Sequence, residues 1–240
     1  MSRNHPPRQA SLYRALLPGA LILGALIVIA LFIMWLSNSS QAEAEVAAGS
    51  NDQLSASTMQ QLQQDYDRYG VAVGAVDAPV TIREFADYQC PACASFAPTA
   101  ARIRNELVAS GKVRFIFFDF PLPMHDHAFA AAVAARCAGE QGQYWAYQEA
   151  LFAKQQKWAA QDDPTPVFLD LAVENGIDVQ QLKQCMAEDK MRNLVQKNRD
   201  LAQQLRLRAT PTIIIGNKVI SGALSYDSIK AEVEHQAGQQ

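Results

Sequence analysis

An α/β sheet domain with an all-helical insertion, preceded by an N-terminal transmembrane helix, is the fold class this sequence predicts. Three observations predict it: an uncharged apolar run near the N-terminus, a strand–helix–strand pattern from Val80 to Phe118, and a helix-only stretch closed by strand, strand and helix. The composition fits a folded chain: 49% of the 240 residues are hydrophobic and 19% are charged. The net charge is −3, with no long basic block, which argues against a nucleic-acid partner because phosphate binding needs concentrated positive charge.

The apolar run comes first. Residues 15–42 carry no charge, and Leu16 to Leu36 is almost unbroken in its hydrophobicity, enough for roughly 30 Å of helix, the thickness of a bilayer core. Arg3, Arg8 and Arg14 precede it without any acid. That +3 flank keeps residues 1–14 in the cytoplasm and sends the rest, with a charge of −3 minus +3, or −6, outward. The alternative is a cleaved signal sequence ending near Ala42-Glu43-Ala44, but the run exceeds the roughly 7 to 15 residues of such a segment. An anchor at 15–36 is therefore expected, in the inner membrane, with the remainder on the periplasmic or extracytoplasmic side. Disulfides persist there.

Residues 37–69 read as a tether ending in a short helix. Met59, Leu62, Tyr66 and Tyr69 form a helical stripe stopped by Gly70, expected to pack on the domain that follows rather than to pair two protomers, since it lasts under two heptads. The domain proper is expected at 70–240. Val80 to Ala86 and Val113 to Phe118 read as parallel strands joined by a helix over Ala94 to Ala109. The insertion, at about 124–208, is expected to hold helices over Asp126–Cys137, Tyr144–Lys154, Thr165–Asn175, Asp178–Ala187 and Lys190–Leu207, with caps at Asp126, Thr165 and Asp178. Strands at Thr212–Ile215 and Lys218–Ser221 turn on Gly216-Asn217, and a helix from Tyr226 to about His235 ends the domain.

Four cysteines carry the chemistry: Cys90, Cys93, Cys137 and Cys185. Cys90-Pro91-Ala92-Cys93 follows the first strand and opens its helix, where exposed N–H groups and the positive dipole end lower a thiol pKa below the free value of about 8.5. Pro91 suits a first helical turn, and Cys93 stands where it can attack a mixed disulfide formed at Cys90. Two other uses of the pair stand beside this one. A bridge across two residues would be a weak structural staple, and a metal site could draw on Cys90, Cys93 and His125 or His127, although no second tightly spaced pair accompanies them.

These residues resemble a known family. The strand into Cys-Pro-Ala-Cys, the helical insertion with Arg136-Cys137-Ala138, Gln141-Gly142-Gln143-Tyr144-Trp145 and Leu151-Phe152, and Ala209-Thr210-Pro211-Thr212 before the closing elements are similar to the thioredoxin fold of DsbA-like thiol-disulfide oxidoreductases. The resemblance covers roughly residues 70–236 and implies further roles. Pro211 matches a cis-proline facing the dithiol, and Thr210 the residue whose backbone pairs with an extended substrate chain. Glu84, six residues before Cys90, matches a buried acid that exchanges protons with Cys93, although strand parity alone leaves its face open. Cys137 and Cys185, left over in an oxidising compartment, are expected to form a second, structural bridge over 48 residues.

The expected reaction is thiol-disulfide exchange with unfolded or partly folded exported proteins. A membrane redox partner recycles the dithiol, and no metal or cofactor is required because the cysteines hold the electrons. Pro91-Ala92 lacks the histidine of the family's strongest oxidants, and Thr210 resembles isomerase-type members, so an oxidase of moderate potential is expected. A reductase or isomerase of the same fold and a non-enzymatic metal-binding module are the alternatives.

Overall fold

The structure, a computed structural model, describes residues 53–238. The expected cytoplasmic segment, the apolar run at 15–36 and the first part of the tether lie outside the described residues. Among those described, no helix is long and apolar enough to cross a membrane.

Among the described residues a five-stranded sheet organises the domain, with β1 (Val71–Val73), β3 (Val113–Asp119), β2 (Val80–Ala86), β4 (Thr212–Ile215) and β5 (Lys218–Ser221) side by side in that order. Strand β2 runs parallel to β3 and antiparallel to β4; β5 extends the sheet past β4. The strands at 80–86, 212–215 and 218–221 have the bounds the sequence predicts. At the opposite edge lies β1, antiparallel to β3 and absent from the sequence expectation. Gly216 takes φ of 57° in the β4–β5 turn, a conformation that favours glycine.

Both faces of the sheet are covered, and parity along β2 assigns each side chain. Val80, Ile82 and Ala86 join the larger core cluster with Cys93 and Phe96, against the dithiol helix α2 (Pro91–Ile103) and the insertion. Phe85 belongs to the other cluster, with Ile116, Phe118 and Ile214. That second face is closed by Leu62, following the short helix α1 (Ala56–Gln61), and by Leu201 and Ala202. Met59 and Tyr66 pack there as well, so the N-terminal stripe lies against its own domain. Behind it, buried Arg83 forms a two-pronged pair with Asp67, both contacts at 2.7 Å.

The insertion holds six helices among the described residues: α3 (Ala128–Glu140), α4 (Tyr144–Ala153), α5 (Gln155–Ala159), α6 (Thr165–Glu174), α7 (Val179–Ala187) and α8 (Asp189–Gln204). The chain then closes with α9 (Tyr226–Ala237) on the side of α2 and β4. The caps differ from expectation in two places. Helix α3 starts at Ala128 rather than Asp126, without a side-chain cap. Thr165 does not cap α6; Asp163 instead accepts the Thr165 N–H at 2.9 Å. Asp178 does cap α7, accepting from Gln180 and Gln181.

Arg136 ties the insertion to the sheet. It donates to Asp119 at 2.6 Å, to the Tyr69 carbonyl at 2.9 Å and to Asn198 at 3.0 Å. One polar knot thus joins the ends of β3 and of the N-terminal helical stretch to α3 and α8. Burial makes such a knot costly to break, because a lost partner strands the others away from water.

Candidate active site

Strand β2 ends at Ala86, and Cys90 is the residue that caps α2, in extended conformation with Pro91 at the first helical position. A residue placed so turns its side chain toward the exposed N–H groups of the first turn. Cys90 is 8% exposed and Cys93 is 0% exposed, so only the first sulfur can be reached from solvent. Both are free thiols in this structure.

The two sulfurs are driven apart in acidity. Hydrogen bonding from Cys93 is the largest influence on Cys90; with contacts from Thr210 and the backbone N–H groups of Cys93 and Ala92, it outweighs burial and lowers the Cys90 pKa to about 5. Cys93 is pushed far above the ordinary thiol range, first by burial and then by its hydrogen bond to and the charge of Cys90. The Asp87 N–H, 3.5 Å from the Cys93 sulfur, acts in the opposite sense.

Pro211 precedes β4, and the Thr210–Pro211 peptide bond is cis. The Thr210 carbonyl oxygen lies 3.4 Å from the Cys90 sulfur and accepts from its thiol. Thr210 is therefore brought to the dithiol from 120 residues away in sequence.

Glu84 sits in the middle of β2, between Phe117 of β3 and Ile213 of β4, and is 1% exposed. Its parity is that of Ile82 and Ala86, which places it on the face covered by α2. Burial raises its pKa to about 8, the charge of Arg104 drawing it down only partly. Glu84 Oε2 has no hydrogen-bond partner, and the carboxyl influences Cys93 electrostatically.

Three side chains absent from the sequence expectation hold the loop before Cys90. Asp87 accepts from the Gln89 N–H at 2.6 Å and from the Leu122 N–H at 2.7 Å. Gln155, on α5, donates to the carbonyl oxygens of Tyr88 at 2.7 Å and Cys90 at 2.9 Å. Gln89 accepts the His127 N–H at 2.8 Å. No local pattern reveals these, because each partner lies on another segment or depends on the loop's path.

The histidines are used within the fold. His125 Nδ1 lies 2.8 Å from Asp87 Oδ2, and His127 Nε2 donates to the Gln161 carbonyl at 2.8 Å. Among the described residues no group of three or more His, Cys, Asp or Glu side chains is arranged to hold a metal ion. Within the insertion, Cys137 on α3 and Cys185 on α7 are joined by a disulfide.

Comparison with known proteins follows the same lines. The thioredoxin family model matches residues 66–235. Disulfide bond formation protein D of Bacillus subtilis is 33% identical over 172 residues, 68% of this chain and 75% of that protein. The probable disulfide bond formation protein D of Bacillus anthracis is 27% identical, over 69% of this chain and 77% of that one. Among solved structures, oxidised BdbD from Bacillus subtilis superposes with a TM-score of 0.64 at 30% identity, covering 71% of this chain and 94% of that one. Wolbachia pipientis alpha-DsbA1 superposes with a TM-score of 0.64 at 21% identity, over 71% of this chain and 92% of that one, a likeness of fold.

Proposed function

The chain belongs to the thioredoxin family, as a DsbA-like thiol-disulfide oxidoreductase, and from that premise we propose that it donates disulfides to exported proteins through Cys90 and Cys93. The observation that carries this direction is the acidity of Cys90, with a pKa of about 5 beside a buried, weakly acidic Cys93. A stabilised thiolate favours the reduced dithiol, which makes the disulfide form an oxidant.

In the proposed reaction a substrate thiolate attacks Cys90 in the Cys90–Cys93 bridge. The new bond joins substrate sulfur to Cys90, and the Cys93 sulfur leaves with the electron pair. Its thiolate is poorly tolerated where it is buried, so it takes a proton from Glu84, whose pKa of about 8 keeps it largely protonated at neutral pH. A second substrate thiolate then attacks the substrate sulfur of the mixed disulfide and expels the Cys90 thiolate. The low pKa of Cys90 makes it a good leaving group. The substrate has lost two electrons and the dithiol has gained them, so a redox partner in the membrane must accept those electrons to restore the bridge.

Thr210 and Pro211 serve this reaction as the subsite for an extended substrate backbone, a role supported by the 3.4 Å approach of the Thr210 carbonyl to Cys90. Cys137–Cys185 serves as a staple within the insertion. The apolar run at 15–36 and its +3 flank support anchoring in the inner membrane, with the domain on the extracytoplasmic side.

Trapping tests the proposal. Cys93→Ala, oxidised with a small disulfide and mixed with reduced unfolded protein, is expected to accumulate a covalent complex that thiol releases, whereas Cys90→Ala is expected to form none. Tight stoichiometric zinc or copper with no exchange by the wild type would instead favour a metal-binding module.

A further inference from the structure

Beside the dithiol, α2 and the insertion enclose an open groove of about 740 Å³. It begins at Pro91 and Ser95 on α2, passes the Phe152 ring and the buried Gln155, and is rimmed by Lys154 and Lys157. Thr210 and Pro211 are not among its walls, so it is separate from the extended-backbone subsite proposed above. Its size lies within the range of about 300–1,000 Å³ usual for ligand sites.

The charge in this groove runs against the rest of the exported chain. That part of the protein carries −6, yet the rim of this groove, whose Gln155 donates to the Cys90 carbonyl at 2.9 Å, presents two exposed ammonium groups. Among the described residues, no carboxylate lies within 4.0 Å of Lys154 or Lys157. Unpaired lysines beside a floor that Pro91 and Phe152 share with Ser95 and Gln155 are matched by an extended peptide whose backbone finds both apolar and polar contacts and whose carboxylates lie at its edge.

We infer that this groove holds the stretch of substrate polypeptide flanking the cysteine that exchanges with Cys90, and that Lys154 and Lys157 select stretches carrying Asp or Glu. The inference rests on Cys90 being the exchanging sulfur. The contribution of each lysine is that of an exposed charge, modest and weakened by salt.

The test uses the full-length oxidised protein and short dithiol peptides that differ only in carrying Asp or Lys beside their cysteines. Each peptide becomes a disulfide as Cys90–Cys93 becomes a dithiol, and the rate is followed by protein fluorescence or by trapping. Flanking charge alters the peptide thiols themselves, so the quantity read is the Asp-to-Lys rate ratio in one protein divided by that in another. Lys154→Glu/Lys157→Glu is expected to lower this ratio about 5- to 20-fold at low salt, and 0.5 M salt is expected to shrink the difference. Lys190→Glu, beside Cys185 and not among the groove's walls, is expected to leave it unchanged. An unchanged ratio in the double variant overturns the inference, as does an equal fall in Lys190→Glu. Dithiothreitol separates the two levels: if the wild type oxidises neither it nor any peptide, the disulfide-donor reading itself fails, whereas oxidation of dithiothreitol with a charge-blind ratio removes only the groove.

Discussion

The side-chain amide of Gln155 donates to the carbonyl oxygen of Cys90 at 2.9 Å, and to that of Tyr88 at 2.7 Å. Through this one residue α5 of the insertion holds the first turn of the dithiol helix. Gln155→Met keeps the packing volume but removes the donor, leaving the Tyr88 carbonyl without its partner while that of Cys90 keeps the Ala94 N–H at 3.1 Å. We expect a loss of about 1–3 kcal/mol in denaturant unfolding and a rise in the Cys90 pKa, read from thiolate absorbance near 240 nm. A variant with unchanged pKa would reduce Gln155 to a structural tie.

Cys90 titration sets a pH window for stability. Its folded pKa of about 5 lies below that of an unfolded thiol, about 8.5. The stabilisation it gives the reduced protein is therefore complete above the unfolded value and is lost as pH falls toward 5. The oxidised protein has no Cys90 thiol. Reduced protein should accordingly be the more stable form at pH 8, with the gap narrowing steadily toward pH 5 in parallel unfolding series; a gap independent of pH would contradict this origin.

Glu84 works with the opposite sign. Burial holds its pKa at about 8, above the unfolded carboxylate value, so the folded state loses stability as pH rises from about 4.5 to about 8. In Glu84→Gln that loss disappears. Relative to wild type, the variant should gain on the order of 2 kcal/mol or more between pH 5 and pH 8, measured by urea unfolding. It should also release substrate from the mixed disulfide more slowly in the reducing direction, because Cys93 has lost its proton acceptor.

The Cys137–Cys185 bridge closes a span of 48 residues. Replacing both cysteines with Ala should cost roughly 3–4 kcal/mol through the larger freedom of the unfolded chain. Exchange kinetics at Cys90 should change little at temperatures where the variant stays folded. A large shift in the Cys90–Cys93 potential would mean that the bridge reaches the dithiol.

Much of this architecture is legible from local pattern. Val80–Ala86, Thr212–Ile215 and Lys218–Ser221 are apolar, β-branched runs bounded by Pro or Gly, and the structure places strands there with the same limits. Strand β1 escapes because three residues are too few for alternation to register and its partner, β3, lies some forty residues on. Helix α5 has five residues and follows α4 without a break in composition, so period gives no boundary. The face of Glu84 is undecided in sequence because a strand covered on both sides has apolar neighbours at either parity; the sheet register decides it. Asp87 and Gln155 are invisible for another reason. They act by hydrogen bonds to backbone groups of the dithiol loop, and polar residues that serve remote backbone look in sequence like ordinary surface residues.

Whether this dithiol gives its disulfide away is decided by the Cys90–Cys93 reduction potential. Equilibrating the full-length protein in a series of glutathione ratios should place it between about −120 and −200 mV, in the range of disulfide donors and isomerases. A value near −270 mV, that of thioredoxin, would mean a reductant and contradict the account.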